Sequence, residues 1–257
     1  MTRMRNVGFL VATLGLSLAL ATPARAQLQG MPVYFSPKGG TGITIDGDFG
    51  RVASYEQGGQ TFPDHPYAIG GRAYLGFPIV PITIGVGAAT YNPNISTLQT
   101  ETQFMGSLAY KIFGSSVLPI AISLQTGAGY LKLGNGTNAA KTVSVPVGLG
   151  FALNLPTPGA SLEPWVAGRA QINATSTGGN GTSASETRVG IGVSGGITLG
   201  LPMGLGLHVA VDWSSFNAKP SSAILNDQEN LRQVVLGVGV HYAIKLPGFG
   251  VPLVPGV

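Results

Sequence analysis

Apolar and polar residues alternate along most of this chain with the period of two that is typical of a β-strand. The clearest case is residues 233–245, where one set of alternate positions holds Val234, Leu236, Val238, Val240, Tyr242 and Ile244. The opposite set is mostly small or polar and includes Gly237, Gly239 and His241. Because successive side chains of a strand point to opposite faces, one face is aliphatic and the other is glycine-rich. This pattern favours a barrel with lipid outside and a small-residue lumen.

Ten segments show this alternation: residues 40–52, 66–77, 81–91, 101–113, 117–131, 141–153, 160–172, 186–200, 204–216 and 233–245. Long polar connections follow the odd-numbered segments, and short turns, often with proline, follow the even-numbered ones. Outer-membrane barrels show this asymmetry, with long loops outside and both termini in the periplasm. The sequence therefore predicts an all-β fold, a transmembrane antiparallel up-and-down β-barrel of about ten strands. A barrel of eight strands is the alternative.

The first 26 residues have the features of a cleavable signal peptide. Arg3 and Arg5 precede an uncharged, mostly apolar run over residues 7–21, and Ala24-Arg25-Ala26 forms a small-residue cleavage site. The apolar run is short for a membrane span, and an uncleaved anchor is the alternative. We therefore divide the chain into a signal peptide (1–26), a periplasmic lead-in (27–39), the barrel (40–245) and a C-terminal tail (246–257).

The composition separates a membrane barrel from other glycine-rich proteins. Hydrophobic residues make up 44% of the chain and charged residues 9%, whereas charged residues are about a quarter of a soluble domain. Beyond the signal there is no uninterrupted apolar run of about 20 residues, which excludes helical spans. A closed barrel then satisfies the backbone in lipid, and a secreted soluble β-protein is the competing class. Without the signal the chain has 11 basic and 10 acidic residues, so we expect no nucleic-acid partner.

Ten charged residues fall on the predicted inner face and form the main candidate site, a lumen charge network. They are Asp46, Asp48, Arg72, Glu101, Lys111, Glu163, Arg169, Arg188, Asp212 and Lys245. Five are acidic and five basic, so they can pair in a salt-bridged lumen, or they can line a narrow conduit that selects solutes. A small barrel only just encloses its side chains, while the lumen glycines are expected to leave space. If so, alanine at Gly239 should be tolerated.

Two further patterns suggest cofactor or metal chemistry, and neither has the required context. Gly190-Ile-Gly192-Val-Ser-Gly195 matches the dinucleotide-binding pattern, but it lies inside an alternating segment instead of between a strand and a helix. The three histidines lack metal-ligand spacing. We therefore expect no cofactor and no metal. His208 and His241 both fall on the inner face of neighbouring segments, where a hydrogen-bond network is expected.

The signal, the alternation, the asymmetric connections and the aromatic residue in the last segment together resemble small Gram-negative outer-membrane β-barrel proteins of the porin-like kind. The resemblance implies location in the cell outer membrane, with outer-membrane lipid and the barrel assembly machinery as partners. It implies a non-enzymatic function, a narrow passage for small polar solutes or ions. A structural barrel, or one whose loops mediate adhesion or binding, is the alternative. The chain departs from the resemblance by continuing beyond Lys245 to Val257, whereas such barrels commonly end at an aromatic residue.

An omptin-like outer-membrane protease is a further alternative. Proteases of that type use acidic pairs and a His–Asp pair at the extracellular end of a ten-stranded barrel. The residues that could correspond here are Asp46, Asp48, Asp64, His65 and Asp212. Their spacing does not reproduce the motifs of that family, and the chain is short for it.

Overall fold

The computed structural model describes residues 28–32, 42–77, 80–95, 98–114, 119–134, 139–179, 182–217 and 230–244. Within these ranges the strands are β1 (Gly42–Gln57), β2 (Gln60–Thr61), β3 (Tyr67–Gly76), β4 (Ile82–Asn92), β5 (Glu101–Phe113), β6 (Ile120–Leu133), β7 (Ala140–Leu153), β8 (Leu155–Thr157), β9 (Ala160–Gly179), β10 (Thr182–Gly200), β11 (Leu205–Phe216) and β12 (Leu231–Ile244). A 3-10 turn at Pro202–Gly204 joins β10 to β11. Among the described residues, no helix has the length and apolar character needed to cross a membrane.

The ten long strands form one closed antiparallel barrel in up-and-down order. Each long strand pairs with the next one along the chain, while β2 and β8 are short additions to β1 and β9. The last strand, β12, pairs with β1 from Ile43↔Ile244 to Gln57↔Leu231, which closes the sheet. Closure leaves no long strand with an unpaired edge along the wall, as a lipid environment requires. The predicted fold class and ten-strand count are confirmed, and the eight-stranded alternative is wrong.

The outside of the barrel is apolar and the inside is polar, the reverse of a soluble protein. The outward side chains of β12 are largely exposed, with Val240 exposed by 57%, whereas Gln103 on the inner face of β5 is fully buried. The same alternation of exposed and buried positions runs through the other long strands. A closed barrel with this exterior is solvated by lipid. The protein is an outer-membrane β-barrel, and the predicted location in the cell outer membrane is confirmed.

At one end of the barrel, two strands extend beyond the strand next to them. We call the end with the longer connections the loop end and the other the turn end. The connection predicted over residues 173–185 is mostly strand, because β9 continues to Gly179 and β10 begins at Thr182. Threonine is common there and suits extended backbone. Since β11 pairs with β10 only from Gly190↔Phe216 onward, the β9–β10 hairpin rises beyond β11 at the loop end.

Part of the predicted periplasmic lead-in lies inside the barrel. Leu28 and Met31 are buried, and they pack with Ala68, Ala89 and Met105 on the lumen wall. For residues 28–32 the structure therefore differs from the predicted periplasmic location. The segment itself does not indicate this position, because five residues are too few to show a period. The signal peptide, Lys245 and the C-terminal tail lie outside the described residues.

The assignment of the outer face can be tested at Val238, which is half-exposed and lies between Phe49 of β1 and Val209 of β11. We expect Val238→Arg to reduce the free energy of unfolding by about 2–4 kcal/mol, because an arginine here faces the hydrocarbon of the bilayer. Urea unfolding of protein refolded in lipid vesicles measures this effect. The matched control is Val238→Ile, which stays apolar. Equal stability of the arginine variant and the parent would contradict the assignment.

Candidate functional site

The first group of charged side chains in the lumen is centred on Asp48 of β1. Arg72 Nε of β3 donates a hydrogen bond to Asp48 Oδ2 at 2.7 Å. On the other side, His208 Nε2 of β11 lies 2.7 Å from Asp48 Oδ1. The His241 ring of β12 stacks on His208 with ring centroids 5.9 Å apart. His208 therefore has the expected hydrogen bond in the lumen, to an aspartate that is also part of an ion pair, whereas His241 contacts it by ring stacking.

Asp46 lies two residues before Asp48 on the same face of β1. In the strand register it is flanked by Arg72 on β3 and by His241 on β12. Asp46 is buried, and neither of its carboxylate oxygens accepts a hydrogen bond from the described residues. Asp46 therefore lies beside the first group without the direct hydrogen bonds that hold Asp48.

The second group is built around Arg169 of β9 and Asp212 of β11. Arg169 Nη1 and Nη2 donate to the two carboxylate oxygens of Asp212, each at 2.8 Å. Such a two-pronged contact fixes both side chains in one orientation. Ser194 of β10 accepts from Arg169 Nη1 at 3.0 Å and donates to Asp212, and Gln171 accepts from Arg169 Nε at 2.9 Å. Asp212 is four residues from His208 on the same face of β11, so one strand supports both groups.

The other predicted lumen charges are spread along the barrel. Arg188 forms an ion pair with Glu186, two residues away on β10, although Glu186 was not among the predicted set. Glu163 and Lys111 lie close enough near the turn end for their charges to interact. Glu101 is half-buried at the loop end of β5. The structure thus brings five of the ten into the two groups, Asp48 and Arg72 with Asp46 beside them, and Arg169 with Asp212. Lys245 lies outside the described residues.

The lumen glycines do not leave open space. A methyl group at Gly192 would lie 2.6 Å from Arg169 Nη2. One at Gly239 would lie 2.5 Å from both Asp48 Oδ1 and His208 Nε2. These glycines are therefore sites where a long side chain from a neighbouring strand fits against bare backbone. The expected spare room, and with it the expected tolerance of alanine at Gly239, is wrong for this reason.

A small cavity lies beside the first group, between it and the segment inside the lumen. Its lining includes Pro32, Asp48, Arg72, Trp165, Thr198 and His208. Its volume is about 10 Å³, which is room for about one water molecule. Sequence reasoning missed the residues that narrow the lumen here, namely the segment 28–32. The inward glycines opposite the segment, Gly50 and Gly237, were the available signal, because they indicate a close approach of some other group.

The residues that could correspond to the catalytic residues of an omptin-like protease do not come together in one site. Asp46 and Asp48 lie beside Arg72, whereas Asp212 is held by Arg169. His65 Nδ1 lies 3.1 Å from the Val52 carbonyl oxygen, outside either group. Within the described ranges, no group of three or more His, Asp or Glu side chains is arranged to hold a metal ion.

Several solved outer-membrane barrels are similar in structure. Neisserial surface protein A is 13% identical, with a TM-score of 0.38 over 79% of this chain and 97% of that one. The outer membrane protease OmpT from Escherichia coli is 11% identical, with a TM-score of 0.43 over 81% and 98%. The outer membrane protein OprG from Pseudomonas aeruginosa is 13% identical, with a TM-score of 0.34 over 81% and 98%. No family profile and no curated protein matches the sequence.

The glycine packing can be tested with Gly239→Ala. We expect this change to cost about 1–3 kcal/mol, the usual range for extra volume in a packed interior, because Asp48 or His208 must shift. The matched control is Gly168→Ala on the outer face of β9, where a methyl group meets nothing within 4 Å. Urea unfolding in lipid vesicles measures both. Equal stability of the two variants would show that the lumen has space for a methyl group at Gly239.

The Arg169–Asp212 pair gives a second test. We expect Asp212→Asn to cost about 3–5 kcal/mol, since it leaves a buried guanidinium without its counter-charge. The double variant Arg169→Gln with Asp212→Asn should recover part of this loss, because the unpaired charge is gone. Asp64→Asn, in the connection after β2, is the control. Additive losses in the double-mutant cycle would show that the two side chains are not coupled.

Proposed function

We propose that this barrel is a narrow passage for small polar solutes or ions across the outer membrane, and that the passage is closed in this structure. The observation that carries the proposal is the polar character of the lumen along its length. Buried serine and glutamine side chains accompany the charged groups, among them Gln103, Gln125, Gln171, Ser123, Ser144, Ser161, Ser194 and Ser214.

A purely structural role does not call for such an interior. Apolar residues of similar volume often replace buried ion pairs with no loss of stability, so an anchor could have an apolar core. A polar interior, by contrast, offers a solute partners in place of its hydration shell. This difference supports the passage over a structural barrel.

The charges in the lumen suggest weak selectivity. Arg169 is matched by Asp212, and Arg72 by Asp48, whereas strong selectivity requires a ring of charges of one sign. The passage should therefore have a small conductance and weak charge selectivity.

No catalytic activity is part of this proposal. Two of the acids that an omptin-like protease could use are engaged by buried cations, Asp48 by Arg72 and Asp212 by Arg169. The histidine that Asp48 contacts, His208, is buried in the lumen, whereas a protease of that type uses its His–Asp pair at the extracellular end of the barrel.

Binding at the loop end is the second candidate function. The hairpin of β9 and β10 rises beyond β11, and β7 extends alongside it as far as Ala140↔Thr177. These strands form a raised sheet at the loop end. With the loop end facing outward, this sheet would offer a surface for a partner outside the cell. This candidate requires no conductance.

Single-channel recording in a planar bilayer tests the passage. We expect small, infrequent current steps from the parent protein. Asp48→Asn leaves Arg72 without its counter-charge, so it should move the reversal potential in a KCl gradient toward that of chloride. Asp64→Asn, outside the lumen, should leave it unchanged. A silent barrel that still shows heat-dependent mobility on an SDS gel would rule out the passage and leave binding at the loop end.

A further inference from the structure

Residues 28–32 occupy the lumen of the barrel as a compact segment. Leu28 and Met31 are 3% and 0% exposed, and Gly30 and Pro32 are also buried. The backbone turns within the segment, because Met31 N–H donates to the Leu28 carbonyl oxygen at 3.3 Å. A segment this deeply buried inside a membrane barrel is part of its interior and not a loose terminus.

The wall of the barrel recognises the backbone of this segment. Gln29 N–H donates to Gln103 Oε1 at 2.7 Å, and Gln103 Nε2 donates to the Gln29 carbonyl oxygen at 2.9 Å. The Gln103 side chain thus satisfies both main-chain groups of one residue. The Gln29 side chain in turn donates to Ser144 Oγ of β7 at 3.2 Å. These bonds fix the position and direction of the segment across the lumen.

The wall also has two glycines where the segment comes closest. A methyl group at Gly50 of β1 would overlap the Gly30 carbonyl oxygen. One at Gly237 of β12 would lie 2.5 Å from Pro32 Cδ. Any other residue at either position would push the segment away, so the lumen is shaped around it.

The attachment of the segment is modest compared with the rest of the interior. Its hydrogen bonds to described residues of the wall all involve Gln29, and none of these bonds includes a charged group. Charge-assisted pairs hold the lumen beside it. Nine residues separate Pro32 from the start of β1 at Gly42. Nine extended residues reach about 30 Å, so the segment can leave its position without disturbing a barrel strand.

We infer that residues 28–32 form a resident plug, which closes the lumen when seated and opens it when it withdraws. This inference rests on the proposed passage. Pro32 lines the small cavity beside Asp48, Arg72 and His208. Removing the segment therefore joins that cavity to the space that Leu28 and Met31 now fill.

A reversible crosslink tests the plug. A Cβ atom built at Gly30 lies 3.5 Å from Ala68 Cβ, within the range of a disulfide, and the chain has no other cysteine. We expect the oxidised Gly30→Cys/Ala68→Cys variant to lose the current steps of the parent and to regain them after reduction. Gly30 has φ 74°, which strains a cysteine, so the two single-cysteine variants are the matched controls. Loss of both free thiols on titration verifies the crosslink.

A second variant shifts the plug in the opposite direction without a crosslink. Gln103→Leu removes both hydrogen bonds to the Gln29 backbone, so we expect the open probability to rise by about tenfold or more. Gln125→Leu is the control, since it makes the same chemical change at a lumen glutamine that donates to Ser123 Oγ. Deletion of residues 28–32 should give the largest increase.

The outcomes separate the plug from the passage. Equal current steps in the parent and in the fully oxidised double-cysteine variant would overturn the plug while leaving the passage intact. An unchanged open probability in both Gln103→Leu and the deletion would also overturn it. If every variant is silent although all show heat-dependent mobility on gels, the passage itself is wrong and the plug has nothing to close.

Discussion

The narrow interior of a ten-stranded barrel is the constraint on which the rest of this structure depends. Such a lumen is little wider than the side chains it contains, so a long inward side chain fits only where a neighbouring strand offers bare backbone. Arg169 lies against Gly192, and the contact between Asp48 and His208 lies against Gly239. In the lumen the abundant glycine therefore reflects close packing between strands and not a flexible chain.

Charges enclosed in this way must be matched, because a buried charge without a partner is costly. Asp212 takes both prongs of Arg169, and Asp48 is shared between Arg72 and His208. His208 and Asp212 lie on one face of β11, so that strand supports both groups. The matching leaves a lumen that is polar yet nearly neutral, which suits slow and weakly selective permeation more than the tight capture of one ion.

The same packing rule extends from side chains to main chain. Gly50 and Gly237 admit the backbone of residues 28–32, and Gln103 supplies the hydrogen bonds that a neighbouring strand would otherwise give. A segment held by neutral bonds is easier to displace than the ion pairs beside it. The barrel thus combines a rigid polar wall with one separable part. The raised sheet of β7, β9 and β10 gives the loop end a surface of its own, whose role is independent of the lumen.

The sequence by itself determined which residues face lipid and which face the lumen, because side chains alternate along a strand whatever the strand pairs with. The order of long and short connections also favoured ten long strands over eight, and the closed sheet decided between the two. Only the tertiary structure decided that Arg169 meets Asp212, since partners 43 positions apart depend on the register of three strands. The tertiary structure also decided which side chains pack against the lumen glycines, and that residues 28–32 lie inside the barrel. Contacts between distant parts of the chain leave no period in the sequence, so the folded barrel alone reveals them.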